Sequence, residues 1–489
     1  MTRTAPDPML EREARKPEAL ALRARSATWT RNELLCSADG LAAALLAEGL
    51  GEGARVASLL DDDAPAVALI HALRRLRAVQ VPLNRRLAPA ELRYQLEVAG
   101  ASLLVGDAAN IETARAAAPD GVRAERIEAL LAAAPCGPPP PLSSRIDLDA
   151  AATIVFTSGT TGRPKGAILT HDNHRASAHA WAGLLRPMPG HRWLACLPLY
   201  HVAGLALVTR TTRWGAPLEL LDRFDVAAVS AALDDGVTHL SLVPVQLEAL
   251  LELRGGRPAP PRLEAVLLGG GPIPAGLLSR ARASGFRVLT TYGMTETASG
   301  VAVGGADPAT IADPTAARAL PGAELRIEPD GAADGSGEIL VRGSMVFAGY
   351  AHDPGATAER LRDGWLHTGD IGTLDEAGLL RIVDRRDDLV ISGGENVYPA
   401  EVEAVLTAHP AVREVAVFGE PDARWGAVPV AAIVLGAEVT DAELAAHCRE
   451  RLAGYKVPAR FVRLAALPRN ELGKVQRHRL RASEAETPA

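Results

Sequence analysis

The residues best suited to chemistry stand in the decapeptide Thr157-Ser158-Gly159-Thr160-Thr161-Gly162-Arg163-Pro164-Lys165-Gly166, which follows the apolar run Ala151 to Phe156. An apolar run feeding a glycine- and hydroxyl-rich segment reads as a buried strand entering a mobile loop. Three glycines let backbone N–H groups turn toward an anion, four hydroxyl residues add donors, and Lys165 supplies a point charge. The chemistry this implies is the holding of a polyphosphate. The common P-loop is excluded, because it ends in Gly-Lys-Ser/Thr and here Pro164 separates glycine from lysine.

Lysine itself is informative. Of 52 basic residues only four are lysine (Lys16, Lys165, Lys456, Lys474), leaving 52 − 4 = 48 arginines. Where either cation serves, this chain uses arginine, so a retained lysine marks a place for a compact ammonium among several oxygens. Lys165 lies in the loop above, and Lys474 ends a second candidate loop, Pro468-Arg469-Asn470-Glu471-Leu472-Gly473-Lys474. The hexapeptide Tyr292-Gly293-Met294-Thr295-Glu296-Thr297 places an aromatic face, a glycine turn, hydroxyls and a carboxylate together. Such a loop can hold a base, a phosphate and a metal, although taken alone a Tyr-Gly turn with Thr and Glu is more often a capped helix start. Asp370 closes Gly364-Trp365-Leu366-His367-Thr368-Gly369-Asp370, and its two oxygens match a diol.

The surrounding pattern supplies the elements that must position these groups. From Glu33 to Leu104, amphipathic helices (32–48 and 63–76) alternate with short apolar runs (55–60, 78–83 and 102–105), which predicts βαβ units and a parallel sheet. A second such unit runs from Arg262 to Thr297: a strand, the glycine turn Gly269-Gly270-Gly271, a helix over 274–284, a strand over 286–291, and then Tyr292 to Thr297 as a loop. Both loops then leave the carboxyl ends of neighbouring strands, where open α/β sheets bind ligands. Short strands and turns over 323–383 predict a β-subdomain. A small α+β unit follows from Asp387, with helices over 399–407 and 441–452 and strands over 412–418 and 428–435. The proline-rich 132–144 reads as a surface connection.

Composition narrows the function classes. At 489 residues the chain has room for roughly three domain-sized units. A net charge of −7 gives no basic face for nucleic acid. The four cysteines, Cys36, Cys136, Cys196 and Cys448, form no metal or disulfide spacing. Neither a signal peptide nor an apolar run of ~18 residues is visible, so the expectation is a cytoplasmic protein without membrane insertion.

These strings, in this order from Thr157 to Lys474, resemble the adenylate-forming superfamily of acyl-CoA synthetases, luciferases and peptide-synthetase adenylation domains, over about residues 33–480. The resemblance implies an α/β fold with a large N-terminal domain (1–386) of parallel-rich subdomains plus a β-subdomain, and a small mobile α+β C-terminal domain (387–489). It implies ATP, Mg²⁺ and coenzyme A, with a small carboxylic acid as substrate; a homo-oligomer is left open. ATP would be held by Thr157, Ser158, Gly159, Thr160, Thr161, Lys165, Gly269, Gly270, Gly271, Gly293 and Met294. Tyr292 would stack on adenine, Thr295 would meet the α-phosphate, Glu296 would help bind Mg²⁺, and Asp370 and Arg385 would hold ribose. Lys474 would stabilise charge during adenylation, with His201, Thr295 and Lys165 as further catalytic residues, Asp387 as hinge and Gly394 beside the CoA arm.

Pro198 to Leu205, Leu267 to Pro272 with YGMTETAS, and Ile391 to Pro399 carry a closer resemblance, to CoA ligases of menaquinone synthesis that take an aromatic acid with a second carboxylate. Fatty-acyl or other aryl-acid CoA ligases, adenylation proteins loading a carrier thiol, and a non-enzymatic nucleotide-binding regulator are the alternatives. His201 would stand at the mouth of the acyl pocket. If the segment after it is helical, Arg210 lies about two turns further on and could reach a distal carboxylate, with Arg213 and His239 as other candidates.

Overall fold

In the computed structural model, local signals start the helices where the sequence places them. Thr30 accepts from Glu33 N and its own N–H reaches Glu33 Oε2 at 2.7 Å, a reciprocal cap that begins the helix Arg31–Ala47. Asp63 accepts from Ala64 N at 2.8 Å at the start of Ala64–Leu76. Left-handed Gly215 ends Val202–Trp214. The structure describes residues 3–133, 142–157, 164–271, 273, 275–313, 316–329, 335–385, 390–468, 475 and 477–482.

The chain divides into two units, one formed by 1–85, 95–156 and 166–383, the other by 86–94, 157–165 and 384–489. The first holds two large sheets. In one, Arg55–Leu59 is flanked in parallel by Val79–Pro82 and Leu103–Gly106, and Ala151–Thr157 joins beyond Val79–Pro82. The other has a parallel core of Leu218–Leu220, Trp193–Ala195, His239–Leu242, Ala265–Leu268 and Val288–Met294. At Val288–Met294 it changes character. That strand pairs antiparallel with Ser299–Gly304, and the ladder continues through Ala316–Ala319, Leu379–Arg385, Trp365–Leu374, Gly337–Arg342 and Glu324–Pro329. The β-rich 323–383 segment is therefore edge-joined to the parallel sheet rather than a separate layer. Leucine, valine and alanine side chains from both sheets and their helices form the core, including Trp181 and Trp193.

One expectation needs correction. Tyr292, Gly293 and Met294 are not loop but the end of a strand, which shifts register between Tyr292 and Gly293. The bulge requires glycine there: a Cβ on Gly293 would lie 2.1 Å from the Ser299 carbonyl oxygen. Only Thr295–Thr297 leaves the ladder, as a 3₁₀ turn.

In the second unit, Gly426–Leu435 pairs antiparallel with Val412–Asp422 and parallel with Arg460–Arg463. Val402 and Leu406 of Pro399–Thr407 and Leu444 and Cys448 of Asp441–Arg449 pack against Val417 and Ile433 of that sheet. Lys456 is buried there, its ammonium donating to Glu91 at 2.7 Å and Glu401 at 2.8 Å. That arrangement suits a lysine: a compact point charge satisfies two carboxylates at once.

Candidate active site

The glycine turn 269–271 leaves the carboxyl end of Ala265–Leu268, beside the parallel strand that carries Tyr292. Gly269 admits close approach, since a Cβ would lie 2.2 Å from Thr291 Oγ1, and Gly270 has φ +80°. Tyr292 is buried and its hydroxyl donates to Asp370 Oδ2 at 2.8 Å. The structure thus joins two residues, 78 positions apart, that sequence reasoning assigned to adenine and ribose separately. Four steps across the ladder separate their strands, about 19 Å if the sheet were flat. Hydrogen-bond contact means that the sheet curls strongly back on itself.

Glu296 follows on the 3₁₀ turn. Its Oε1 accepts the Tyr350 hydroxyl at 2.6 Å and its backbone carbonyl accepts Phe347 N at 2.8 Å, so the residue is held through both side chain and backbone. A carboxylate oxygen held in this way is of the kind that suits Mg²⁺, which takes one or two carboxylates and completes its shell with phosphate and water. After the turn, Ala298 and Ser299 adopt φ +50° and +110°. Positive φ at a non-glycine residue such as Ser299 is costly and marks over-determined geometry. Thr297 Oγ1 donates to the Ser299 carbonyl at 2.7 Å, and Ser177 Oγ donates to that of Ala298 at 2.9 Å.

The strained Ser299 meets Arg210. The segment after His201 is helical, Val202–Trp214, with His201 at its N-cap, as the spacing argument required. Arg210 is 3% exposed. One guanidinium nitrogen donates to Ser299 Oγ at 3.2 Å, and the group lies 4.9 Å from the Trp181 ring centroid. Its Nε has no hydrogen-bond partner, and burial alone draws its pKa down to about 9. Among the described residues no anion offsets this buried cation, and burial disfavours its charge. The two other candidates lie elsewhere. His239 stacks on Trp193 at 4.6 Å, and burial lowers its pKa to about 3. Arg213 lines a cavity of about 60 Å³ with Arg74, His174 and Arg175, to which Arg210 does not contribute.

His201 is half-buried, with its ring 4.7 Å from that of Tyr200. Gly394, φ +85°, follows Gly393, φ +59°, in the tight turn between Val390–Ser392 and Glu395–Val397. Thr157 ends the strand Ala151–Thr157, and Lys165 begins the strand Lys165–Thr170. Arg385 ends the strand Leu379–Arg385. Ser158, Gly159, Thr160, Thr161, Asp387 and Lys474 lie outside the described residues. Sequence reasoning missed Trp181, Ser299, Tyr350 and Asp62. Ser299 stood in a quoted motif, and Asp62 stood in a run of three aspartates, but nothing local revealed their partners.

A curled α/β sheet with a glycine turn, an aromatic–carboxylate pair and a metal-capable glutamate at its strand ends defines a nucleotide-binding enzyme, and the chain belongs to the AMP-binding enzyme family. Residues 10–351 match the AMP-binding enzyme model, and 401–474 match the AMP-binding enzyme C-terminal domain. Among its relatives, the chain is 39% identical over 486 residues to a 2-succinylbenzoate–CoA ligase of Bacillus cereus (strain Q1), covering 98% of each. Among solved structures it is similar to o-succinylbenzoate CoA synthetase of Bacillus subtilis. A double mutant of that enzyme bound to the product analogue OSB-NCoA gives a TM-score of 0.92 at 37% identity, with 99% of each chain covered. Complexes of the same enzyme with the acyl-adenylate OSB-AMP (36% identity, 99% of each chain) and with ATP and magnesium ion (37% identity, 98% and 100%) each give 0.75. The amide bond synthetase McbA of Marinactinospora thermotolerans gives 0.87 at 30% identity, covering 97% and 99%.

Proposed function

We infer that this enzyme is an o-succinylbenzoate–CoA ligase of the cytoplasm, acting in menaquinone synthesis. The acid's carboxylate attacks the α-phosphate of ATP to give acyl-AMP and pyrophosphate, and the thiol of coenzyme A then displaces AMP. The observation that carries the choice of acid is Arg210, a buried guanidinium whose Nε is unpaired and which is braced by Trp181 and the strained Ser299. A fatty-acyl or simple benzoate pocket gains nothing from such a group, whereas a distal carboxylate pairs with it by charge-assisted, geometrically matched hydrogen bonds.

The other residues take roles that the chemistry of the site supports. Tyr292 and Asp370 receive adenosine, with Arg385 on ribose; the 269–271 turn offers backbone donors through Gly270 and Gly271, and Thr295 its hydroxyl, to the phosphates, beside Gly293 and Met294. The hydroxyls of Thr157 to Thr161, with Lys165, cover the pyrophosphate side. Glu296 would hold Mg²⁺, which when bound neutralises phosphate charge. Lys474 stabilises the negative charge that accumulates at the α-phosphate during attack. His201 faces the acyl group, Asp387 serves as hinge, and Gly394 passes the CoA arm.

The test is acid-dependent ATP–pyrophosphate exchange with o-succinylbenzoate, its distal methyl ester, benzoate, phenylacetate, malonate and medium-chain fatty acids, followed by thioester formation with free CoA. The expected result is a preference for the diacid over its ester of about tenfold or more, the scale of one charged hydrogen bond. Exchange with fatty acids or benzoate but not with the diacid overturns the substrate, and exchange without transfer to free CoA overturns the acceptor.

A further inference from the structure

Three consecutive aspartates, Asp61-Asp62-Asp63, link the strand Arg55–Leu59 to the helix Ala64–Leu76, and each does something different. Asp61 accepts from Arg85 at 2.5 Å and Asn110 at 3.2 Å. Asp63 caps the helix and accepts from Ser26 N. Asp62 is 4% exposed, and both its oxygens accept the same N–H, that of Leu199, at 3.2 Å. Its own N–H donates to Asp222, whose carboxylate also accepts Arg85 at 2.7 Å. The aspartate is therefore locked in place by a network anchored outside the turn it holds.

Leu199 belongs to the turn that ends in His201, closed by the His201 N–H donating to the Pro198 carbonyl at 3.1 Å. From the opposite side the turn presses on Gly204, where a Cβ would lie 2.2 Å from the Pro198 oxygen and 2.6 Å from that of Leu197. The backbone of His201, at the N-cap of its helix, is thus placed by a turn clamped between a glycine and a buried carboxylate. The charged groups acting on Asp62 are Arg85, Asp222 and His201, with opposite-charge attraction between Asp62 and His201. Burial of the carboxylate is tolerated because it satisfies a buried N–H that would otherwise be unpaired.

We propose that Asp62 is a positioning residue for His201, fixing the Pro198–His201 turn through Leu199 N–H so that the imidazole faces the acyl site. This rests on the reading of His201 as the acyl-site histidine. Asp62→Ala removes the acceptor, and Asp62→Asn keeps an oxygen of the same reach. Both are made in the wild type and in His201→Ala, and KM for the acid, KM for ATP and kcat are followed by pyrophosphate exchange. The expected result is that Asp62→Ala raises the acid KM by about tenfold, the scale of one lost charge-assisted bond. KM for ATP stays put, Asp62→Asn recovers most of the loss, and Asp62→Ala costs less than about twofold when His201 is already alanine.

An equal penalty in both backgrounds, or a matching rise in both KM values, shows a general structural role and overturns the proposal. So does wild-type behaviour of Asp62→Ala. If His201→Ala is itself silent, the assignment of His201 fails instead, which separates the two. Should Asp62→Ala not fold, the same comparison is read from Asp62→Asn and from Asp62→Ser, which shortens the side chain away from Leu199.

Discussion

Arg210 should weaken the unliganded enzyme and strengthen the liganded one, and the two effects can be measured in the same variant. Burial draws the guanidinium well below its ordinary range, to about 9, so holding it charged without an anion costs on the order of several kcal/mol. The Trp181 face and the Ser299 hydroxyl recover part of this, at ~0.5–2 and ~1 kcal/mol respectively. Arg210→Met, which keeps the length and removes the charge, should stabilise the unliganded protein by about 1–3 kcal/mol. The sign with pH follows from the lowered pKa. Below about 9 the folded and unfolded chains are both protonated and the full cost is present; above it the folded chain releases its proton first, wild-type stability rises, and the advantage of the variant shrinks.

The assay is urea unfolding with and without o-succinylbenzoate. At a hundredfold excess over Kd the acid should stabilise wild type by ~2.7 kcal/mol. If the variant binds ~30-fold more weakly, the same concentration should give under ~1 kcal/mol. A less stable unliganded variant with unchanged stabilisation by the diacid would refute the reasoning, since Arg210 would then be a packing residue unconnected to the acid.

Lys474→Ala should slow adenylation by at least ~10²-fold while thioester formation from supplied acyl-AMP survives, and Lys474→Arg should not rescue; equal loss of both half-reactions would remove the division of labour. Burial pushes the Asp62 carboxyl up to about 7, with the Arg85 charge and the Leu199 N–H opposing and Asp222 adding to the shift. The folded state then binds the proton more tightly than the unfolded state, so Asp62 contributes stability at low pH that is lost as pH rises through 7. Asp62→Asn should flatten that decline in an unfolding series from pH 5 to 8.5, and an unchanged slope would place its source elsewhere. Lys456→Met leaves Glu91 and Glu401 facing each other in a buried space and should cost about 3–5 kcal/mol in the second unit, read by hydrogen exchange at Val402 and Leu406; a neutral result would mean the carboxylates protonate without penalty.

What the sequence made legible was whatever local pattern decides. Helix starts at Thr30, Asp63 and Thr440 follow from capping chemistry readable in four residues, and the parallel core follows from apolar runs spaced by amphipathic helices. Arg210 could be placed two turns along a helix from His201 because helical periodicity fixes that relation. The Tyr292–Asp370 bond, the Arg210–Trp181 contact and the Asp62–Leu199 tether were not legible, because each joins segments from 29 to 137 positions apart. The strand end at Tyr292 to Met294 was read as loop for a related reason. Glycine lowers strand propensity locally, and the Ser299–Gly304 partner that overrides it comes only with the hairpin.

The curl of the large sheet has a dynamic consequence. Tyr292 and Asp370 act as the clasp of a band of five strands, so a nucleotide bound at that pair, where we propose adenosine sits, would be felt in the ladders between them. Opening the band requires the clasp to part, and occupancy at the clasp makes that opening rarer. The amides of Ala316–Ala319, in the middle of the band, should therefore report nucleotide arrival as a slowing of their breathing, which turns a structural strand into a remote gauge of the active site.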